Sequence, residues 1–312
     1  MDRKGTVMNF VYTVTGQKVI VERVENPDPV VVIPEELDDV PVTELGAYAL
    51  AGSAVEEIHL PSKLCKIGAY AFYGCEKLSR IYCFGRVLDL GAGLFTDVPN
   101  VEYLDITLFD GEKSCFKEML SELRQTLRVR VHMDGGREAR LIFPEYYEES
   151  VENTPARILF IETHGCGHRY RYCFVNREFQ YRGYDELFPH VKVQESEELV
   201  TELALGRLLY PCGLTEHYER MYREYVKEHW KTAGRLMIRA DGWNRNQVTN
   251  LEPGGIRWLA KQFLENGSQI DEWIALAQRE GDTEAVSWLM DFRHRRFAQD
   301  ASANRRRRRF EL

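Results

Sequence analysis

A unit of about 22 residues repeats through the first third of this 312-residue sequence. The segment 45–50 reads Leu-Gly-Ala-Tyr-Ala-Leu. It recurs as Ile-Gly-Ala-Tyr-Ala-Phe at 67–72 and as Leu-Gly-Ala-Gly-Leu-Phe at 90–95, at offsets of 22 and 23 residues. Downstream, the apolar pair Val55 and Ile58 recurs twice at an offset of 23 residues. Because a unit this short cannot bury its own apolar side, it has to stack on a neighbour. The repeat therefore predicts a solenoid.

Each unit carries one short strand in which apolar residues alternate with other residue types. Such alternation places one set of side chains in the core and the other set on the opposite face of the sheet. The predicted inward residues are Ile58, Leu60, Ile81, Cys83, Leu104 and Ile106. The predicted outward residues are Glu57, His59, Arg80, Tyr82, Phe84, Tyr103, Asp105 and Thr107.

The outward set has two interpretations: an ordinary solvated face, or a surface that binds a partner. Tyrosine, arginine and phenylalanine are enriched among the residues that anchor protein interfaces. We therefore place the centre of a candidate partner-binding surface at Tyr82, flanked by Tyr103 and Arg80.

The turn after each repeat start carries a glycine followed by an alanine. Gly46, Gly68 and Gly91 suit positions where a side chain would clash or where φ would be positive. The alanines that follow them allow the coils of neighbouring units to pack closely.

The units also carry the signature of a known family. Segment 67–72 is followed by Gly-Cys at 74–75 and by Leu78 and Ile81, and segment 60–68 fits the same frame. This pattern resembles the BspA-like class of bacterial leucine-rich repeats.

The resemblance covers residues 6–108 and implies three to four stacked repeats, with an N-terminal β-hairpin (10–14 and 19–21) as the cap. It also implies a display scaffold without enzyme chemistry, since secreted members of the family are linked to adhesion and to binding of host proteins.

Behind the repeats, the pattern predicts an α+β connector over 111–190 and a helical domain over 191–298. In the connector we expect a helix at 113–127, a hairpin of 128–133 with 138–143, and a second hairpin of 158–162 with 170–175. The fold class is therefore α+β.

The helical domain begins at a capped start near 196 and includes one long helix over 214–239. Its segments 258–267 and 275–282 resemble the paired helices of degenerate ankyrin-type repeats. We expect residues 299–312 to form a disordered tail with five consecutive arginines, Arg305 to Arg309.

The turn of the second predicted hairpin contains four residues of types that bind zinc: His164, Cys166, His168 and Cys173. In an extended chain the first three would share one strand face, and Cys173 would return across the hairpin to complete the site. The alternative is a polar hairpin tip with a half-buried Cys173. We expect no cofactor, because the zinc spacing matches no common zinc module.

The net charge and the absence of known catalytic motifs narrow the range of possible functions. The net charge is -8, with 17 acidic and 9 basic residues in segment 1–110, so nucleic acid is an unlikely partner apart from the arginine tail. No P-loop, Gly-x-Ser-x-Gly, His-Glu-x-x-His or Cys-x-x-Cys motif occurs.

The sequence shows no membrane span and no apolar run of a secretory signal. We expect a cytoplasmic protein, or a surface or secreted one if a leader was removed.

The sequence thus predicts a non-enzymatic scaffold that presents the leucine-rich-repeat sheet to a protein partner whose identity stays open. One alternative is a secreted or surface adhesin-type ligand binder. The other is a zinc-dependent protein centred on residues 164–173.

Overall fold

The computed structural model describes residues 3–7, 9–153, 158–241, 251 and 254–310. The chain folds into two compact units. The front unit comprises Met1–Gln194 with Tyr210–Leu214, and the rear unit comprises Glu195–Leu209 with Thr215–Leu312. Within the described ranges, no helix is both long and apolar enough to cross a membrane.

The front unit is built mainly of strands, with four short helices in its second half. Its strands are β1 (Arg3–Val7), β2 (Phe10–Thr15), β3 (Lys18–Val24), β4 (Val30–Val32), β5 (Glu36–Leu37), β6 (Val40–Leu45), β7 (Glu57–His59), β8 (Lys66–Ile67), β9 (Arg80–Phe84), β10 (Asp89–Leu90), β11 (Tyr103–Thr107), β12 (Leu127–Met133), β13 (Arg137–Phe143), β14 (Tyr147–Asn153), β15 (Ile158–His164), β16 (Phe174–Val175) and β17 (Glu178–Phe179). Its helices are α1 (Phe116–Glu122), α2 (Gly167–Arg171), α3 (Tyr181–Glu186) and α4 (Phe188–Gln194).

Two sheets form the solenoid, one on each side of a shared core. One sheet, which we call the narrower sheet because three of its seven strands (β5, β8 and β10) have only two residues, has the order β1-β2-β3-β6-β8-β10, with β5 paired to β6. Its first three strands are antiparallel neighbours, and the pairing of β2 with β3 confirms the predicted N-terminal hairpin. From β3 onward along the sheet order the strands run parallel, because each later unit adds its strand in the same direction.

The wider sheet has the order β13-β12-β11-β9-β7-β4. Strands β4, β7, β9, β11 and β12 run parallel, and β13 closes the sheet as an antiparallel neighbour of β12. Equivalent positions of successive repeats lie side by side, since Glu57 pairs with Arg80 and Arg80 pairs with Tyr103. The six predicted inward residues are all buried, with exposures of 0 to 4%. The alternation therefore identified the core face correctly.

Close stacking of the coils explains the repeated glycines. A Cβ atom on Gly68 would lie 2.4 Å from the backbone nitrogen of Ala47, and one on Gly91 would lie 2.2 Å from that of Ala69. Real Cβ atoms do not approach so closely, so these positions accept only glycine. Positive φ occurs two residues further on, at Tyr48 and Tyr70, with values of 58° and 55°.

The solenoid continues into the segment predicted as a connector. Helix α1 is shorter than the helix predicted at 113–127, because Leu127 already belongs to β12 and is buried with Val129 and Val131. The predicted hairpin of β12 with β13 is confirmed, and its turn Asp134–Gly136 contains two glycines with positive φ.

The outer edge of β13 is closed by a side chain. The hydroxyl of Tyr184 accepts a hydrogen bond from the amide of Ile142 at 2.9 Å and donates one to the carbonyl of Ile142 at 2.7 Å. Both backbone groups of Ile142 at this edge are therefore satisfied.

The second predicted hairpin is wrong. Strand β15 pairs with the preceding β14, whereas the residues after the turn form helix α2 and the small β16–β17 hairpin. Gly165 turns the chain with a φ of 88°, and Gly167 then lies so close to Pro144 that a Cβ atom would be 1.9 Å from its carbonyl oxygen. The chain therefore leaves the strand direction at this point.

A buried arginine holds this region together. The guanidinium of Arg171, which is 1% exposed, donates to four backbone carbonyls. They are those of Leu123 at 2.8 Å, Gln125 at 2.6 Å, Pro144 at 2.5 Å and Gly167 at 3.1 Å. Arg171 thereby joins the end of α1, the end of β13 and α2.

The rear unit is helical. Its helices are α5 (Glu197–Leu209), α6 (Glu216–Glu228), α7 (Trp230–Asp241), α8 (Gly255–Phe263), α9 (Gly267–Glu280) and α10 (Thr283–Phe310). The single helix predicted over 214–239 is two helices, because His229 leaves the helical region with φ -103° and ψ 32°. Helix α9 begins after Asn266, where Asn266 and Gln269 form a reciprocal capping box.

The arginine run belongs to a helix. The backbone of α10 is helical through Phe310 apart from a kink at Phe297, where φ is -123° and ψ is 20°, and this replaces the disordered tail predicted from residue 299. Alanine and arginine are strong helix formers, which accounts for the difference. The side chains from 298 onward, and residues 311–312 altogether, lie outside the described part.

The ankyrin-type resemblance and the predicted domain boundaries stay predictions.

Candidate protein-binding face

The wider sheet brings all eight predicted outward residues onto one surface, which we call the sheet face. They form three rows across the strands, namely Glu57, Arg80 and Tyr103, then His59, Tyr82 and Asp105, then Phe84 and Thr107. Every one of them is half-exposed. This arrangement follows from the identical 23-residue offsets, which keep equivalent positions in register.

Aromatic rings occupy the middle of the sheet face. The rings of His59 and Tyr82 stack with centroids 4.1 Å apart and planes 7° apart, and Tyr103 lies 6.0 Å from Tyr82 at 54°. Burial, followed by the charge of Glu57, raises the pKa of Tyr82, and burial likewise raises the pKa of Tyr103. Both phenols therefore stay protonated at neutral pH and offer hydroxyl groups.

The charges at the first strand are arranged around Glu57. Its carboxylate lies 2.7 Å from Nε2 of His59 and 3.7 Å from the guanidinium of Arg80. With 21% of its side chain exposed, Glu57 is held by its neighbours on the sheet. The imidazole that stacks on Tyr82 is thus fixed by a hydrogen bond as well.

The sheet face extends beyond the residues that the repeat pattern identified. Strands β12 and β13 add Arg128, Arg130, His132, Glu138, Arg140 and Ile142 to the same side of the sheet. The alternating sequence of 128–132 carried the signal, since charged and β-branched residues take turns there. The parallel pairing of β12 with β11, which brings these residues onto the sheet face, was not predicted.

The added residues are linked by ion pairs. Nε2 of His132 lies 3.0 Å from the carboxylate of Asp105. Glu138 accepts hydrogen bonds from Arg130 at 3.0 Å and from Arg140 at 2.7 Å. Burial acts to raise the pKa of Glu138, but the hydrogen bonds from both arginines outweigh it and lower the pKa.

The sheet face is open in the middle and covered at one end. Arg140 is 3% exposed and its guanidinium lies 4.4 Å from the ring centre of Tyr210, so access ends at β13. At the other end, Val30 and Val32 of β4 are 52% and 60% exposed and lie in register with Glu57 and His59. A partner would therefore meet apolar, aromatic and charged side chains in succession.

The four zinc candidates do not form the predicted arrangement. Helix α2 begins at Gly167, so His164, Cys166 and His168 do not share one strand face. Within the described ranges, no three His, Cys, Asp or Glu residues are placed to hold a metal ion. Burial raises the pKa of Cys173 to about 12, which keeps its half-buried thiol protonated.

These four residues have other contacts. His164 stacks on Tyr147 with ring centroids 4.7 Å apart. His168 lies 4.5 Å from the ring centroid of Tyr172. The sulfur of Cys173 lies 3.5 Å from the carbonyl oxygen of Arg169, and Cys166 is buried at 5% exposure.

Comparison with known proteins agrees with the geometry of the front unit. Residues 40–126 match the family described as the BspA type leucine rich repeat region (6 copies). This part of the chain is a BspA-type leucine-rich repeat region. The match begins after the N-terminal hairpin and reaches past 108 through α1, and it contains all eight residues of the predicted sheet face.

Three solved bacterial proteins are similar to part of this chain. One is a leucine-rich repeat protein from Bacteroides capillosus, with 19% identity over 33% of this chain and 71% of that chain, and a TM-score of 0.24. A leucine rich cell surface protein from Faecalibacterium prausnitzii has 14% identity over 42% of each chain and a TM-score of 0.29. A leucine rich repeat protein of T. pallidum has 19% identity over 35% of this chain and 76% of that chain, and a TM-score of 0.24. No curated protein matches this sequence.

Proposed function

We propose that this protein is a non-enzymatic scaffold that binds a protein partner through the sheet face. BspA-type leucine-rich repeat proteins generally bind proteins or surfaces, and their repeat regions are typically non-enzymatic. The observation that carries the proposal is the half-exposed aromatic group of His59, Tyr82 and Tyr103, in which each ring contacts the next, with Arg80 beside it. Tyrosine and arginine are the residue types that most often anchor an interface.

The side chains of the sheet face are held in place before a partner arrives. Tyr82 stacks on His59, whose ring is hydrogen bonded to Glu57, and Arg130 is hydrogen bonded to Glu138. Each side chain that is already ordered removes part of the entropy cost of association. The sheet face therefore suits a partner of fixed shape.

The chemistry of the sheet face indicates what its partner presents. Each of its three carboxylates already lies beside a cation or an imidazole of the same face. Opposite Arg80 and the tyrosine hydroxyls we expect carboxylates of the partner, and opposite the valines of β4 we expect apolar side chains. The partner surface is thus acidic with an apolar border.

A paired set of variants tests the proposal. The double variant Arg80→Glu, Tyr82→Ala alters the sheet face, and Tyr73→Ala, Lys77→Glu makes the same changes in charge and size on the exposed coil side of the same repeat. Both variants and the wild type are used as bait in cell lysate. Captured proteins are compared by quantitative mass spectrometry, after circular dichroism has shown that all three are folded.

A protein held by the wild type and by the coil-side variant, but lost from the Arg80 and Tyr82 variant, supports the proposal. A captured set that is equal for all three baits contradicts it. The cytoplasmic location expected from the sequence remains a prediction, since BspA-type proteins are often at the surface or secreted. Extracellular proteins are therefore offered to the same three baits.

A further inference from the structure

We propose that a polar cleft beside the His/Cys turn binds a small molecule with an oxyanion head group, such as a phosphate or a carboxylate. The cleft has a volume of about 490 Å³, and the end of β15, the start of α2 and the helix α4 line it. Sites for small molecules commonly have volumes of about 300–1,000 Å³. This cleft lies in the front unit and is separate from the sheet face.

The lining is rich in groups that donate hydrogen bonds to anions. His168 and Arg169 come from α2, His190 and Gln194 from α4, and Thr163 from β15. Arginine and imidazolium groups form the stronger, charge-assisted hydrogen bonds to carboxylate and phosphate. Three of these five side chains are cationic or become so on protonation.

No carboxylate side chain is among the residues that line the cleft in the described part of the front unit. Two acidic residues of the adjoining β14–β15 pair, Glu149 and Glu162, lie beside His164, at 3.5 and 3.9 Å from its Nε2. His164 itself is not part of the lining. The cleft therefore favours a negatively charged occupant over a cation.

The lining also includes Tyr170, whose buried hydroxyl has no hydrogen-bond partner among the described residues. Tyr170 is fully buried, and burial raises the pKa of its phenol well above the ordinary value, so the group stays a donor. Buried polar groups are nearly always hydrogen bonded to protein or to ordered water.

The walls of the cleft are fixed in place. Gly167 packs against Pro144 without room for a side chain, and the buried guanidinium of Arg171 joins α2 to the neighbouring segments. The ring of His168 lies between those of Tyr146 and Tyr172, at centroid distances of 5.3 and 4.5 Å. A ligand would therefore bind without first having to order the site.

Titration with two probes tests the inference. Inorganic phosphate and succinate are each added to the full chain at constant ionic strength, and binding is followed by calorimetry and by amide shifts in NMR spectra. The variant Arg169→Gln, His190→Gln replaces a guanidinium and an imidazole of the lining with neutral amides. The control Arg182→Gln, Lys192→Gln changes two exposed side chains of α3 and α4 that do not line the cleft.

We expect saturable binding of at least one probe, with shifts centred on Thr163 and His168. The cleft variant should bind about tenfold more weakly, and the control should bind like the wild type. The stronger probe identifies the head group. Failure of both probes to saturate at about 10 mM overturns the inference, and so does an equal loss in both variants.

Discussion

Replacing Arg171 with methionine tests whether one buried cation organises the second half of the front unit. Methionine is similar in length and carries no charge, so the four carbonyls that Arg171 now serves lose their donors. A hydrogen bond from a charged donor contributes about 1.5–3 kcal/mol. The variant also avoids the cost of burying the guanidinium, so we expect a net loss of roughly 3–5 kcal/mol.

Urea and thermal unfolding followed by circular dichroism measure this loss, because all five tryptophans belong to the rear unit and their fluorescence would report on that unit. A front unit of this size should show a fall in Tm of roughly 10 °C. The control is Arg182→Met, since Arg182 is 78% exposed and pairs only with Glu186 of the next turn among the contacts of the described residues. That change should cost less than about 0.5 kcal/mol. If both variants unfold at the same urea concentration, the four hydrogen bonds contribute nothing to stability and the reasoning fails.

Two further changes have expected outcomes. Gly91→Ala should destabilise the solenoid by about 1–3 kcal/mol in urea unfolding, because its Cβ would meet Ala69 at 2.2 Å. Gly46→Ala, where the nearest atom is 3.1 Å away, should cost less, and equal costs would refute the stacking argument. Glu138→Gln should cost about 1 kcal/mol at pH 7, because the lowered pKa of Glu138 means that its ionised form stabilises the fold. The stabilisation by ionised Glu138 is fully present above the pKa of its carboxyl in the unfolded chain, and it is lost as pH falls through the pKa of that carboxyl in the folded chain. The difference in the free energy of unfolding between the variant and the wild type should therefore close at low pH. A difference that stays constant with pH would contradict this role of the ionised carboxylate.

The repeat region was predictable because the constant offset between repeats determines which residues of neighbouring strands lie side by side. Equal offsets of 23 residues place Glu57, Arg80 and Tyr103 in one row, and alternation with Ile58 and Ile81 decides which side faces outward. No long-range information is needed, since each unit contacts only its neighbours. The function of the eight sheet-face residues remains a prediction.

The repeat pattern no longer predicted strand pairing where the offset between equivalent positions changed. Tyr103 pairs with Arg128 at an offset of 25 residues, so β12 was predicted as part of a hairpin alone and its parallel partner β11 was missed. The alternation in 128–132 was visible, but only the fold shows that it continues the sheet face. Because of this small change in loop length, the six residues that β12 and β13 add to the sheet face were not predicted.

The region around the His/Cys turn could not be predicted from local sequence. Strand β14 reads Tyr-Glu-Glu-Ser-Val-Glu-Asn and has little apolar alternation, so nothing in it identified β15 as its partner. The close approach of Gly167 to Pro144 joins residues that are distant in sequence. The cleft depends on that approach and on α4, which only the folded chain brings together.

The closure of β13 by Tyr184 makes the two ends of the wider sheet unequal. An incoming strand cannot pair with Ile142, whereas β4 is the terminal strand at the opposite end. Filaments that grow by edge pairing require two accepting edges on every molecule. Two copies that joined through β4 would leave only the β13 edges of their wider sheets outward, so growth through this sheet would stop at a pair. A single phenol hydroxyl thus acts against open-ended polymerisation.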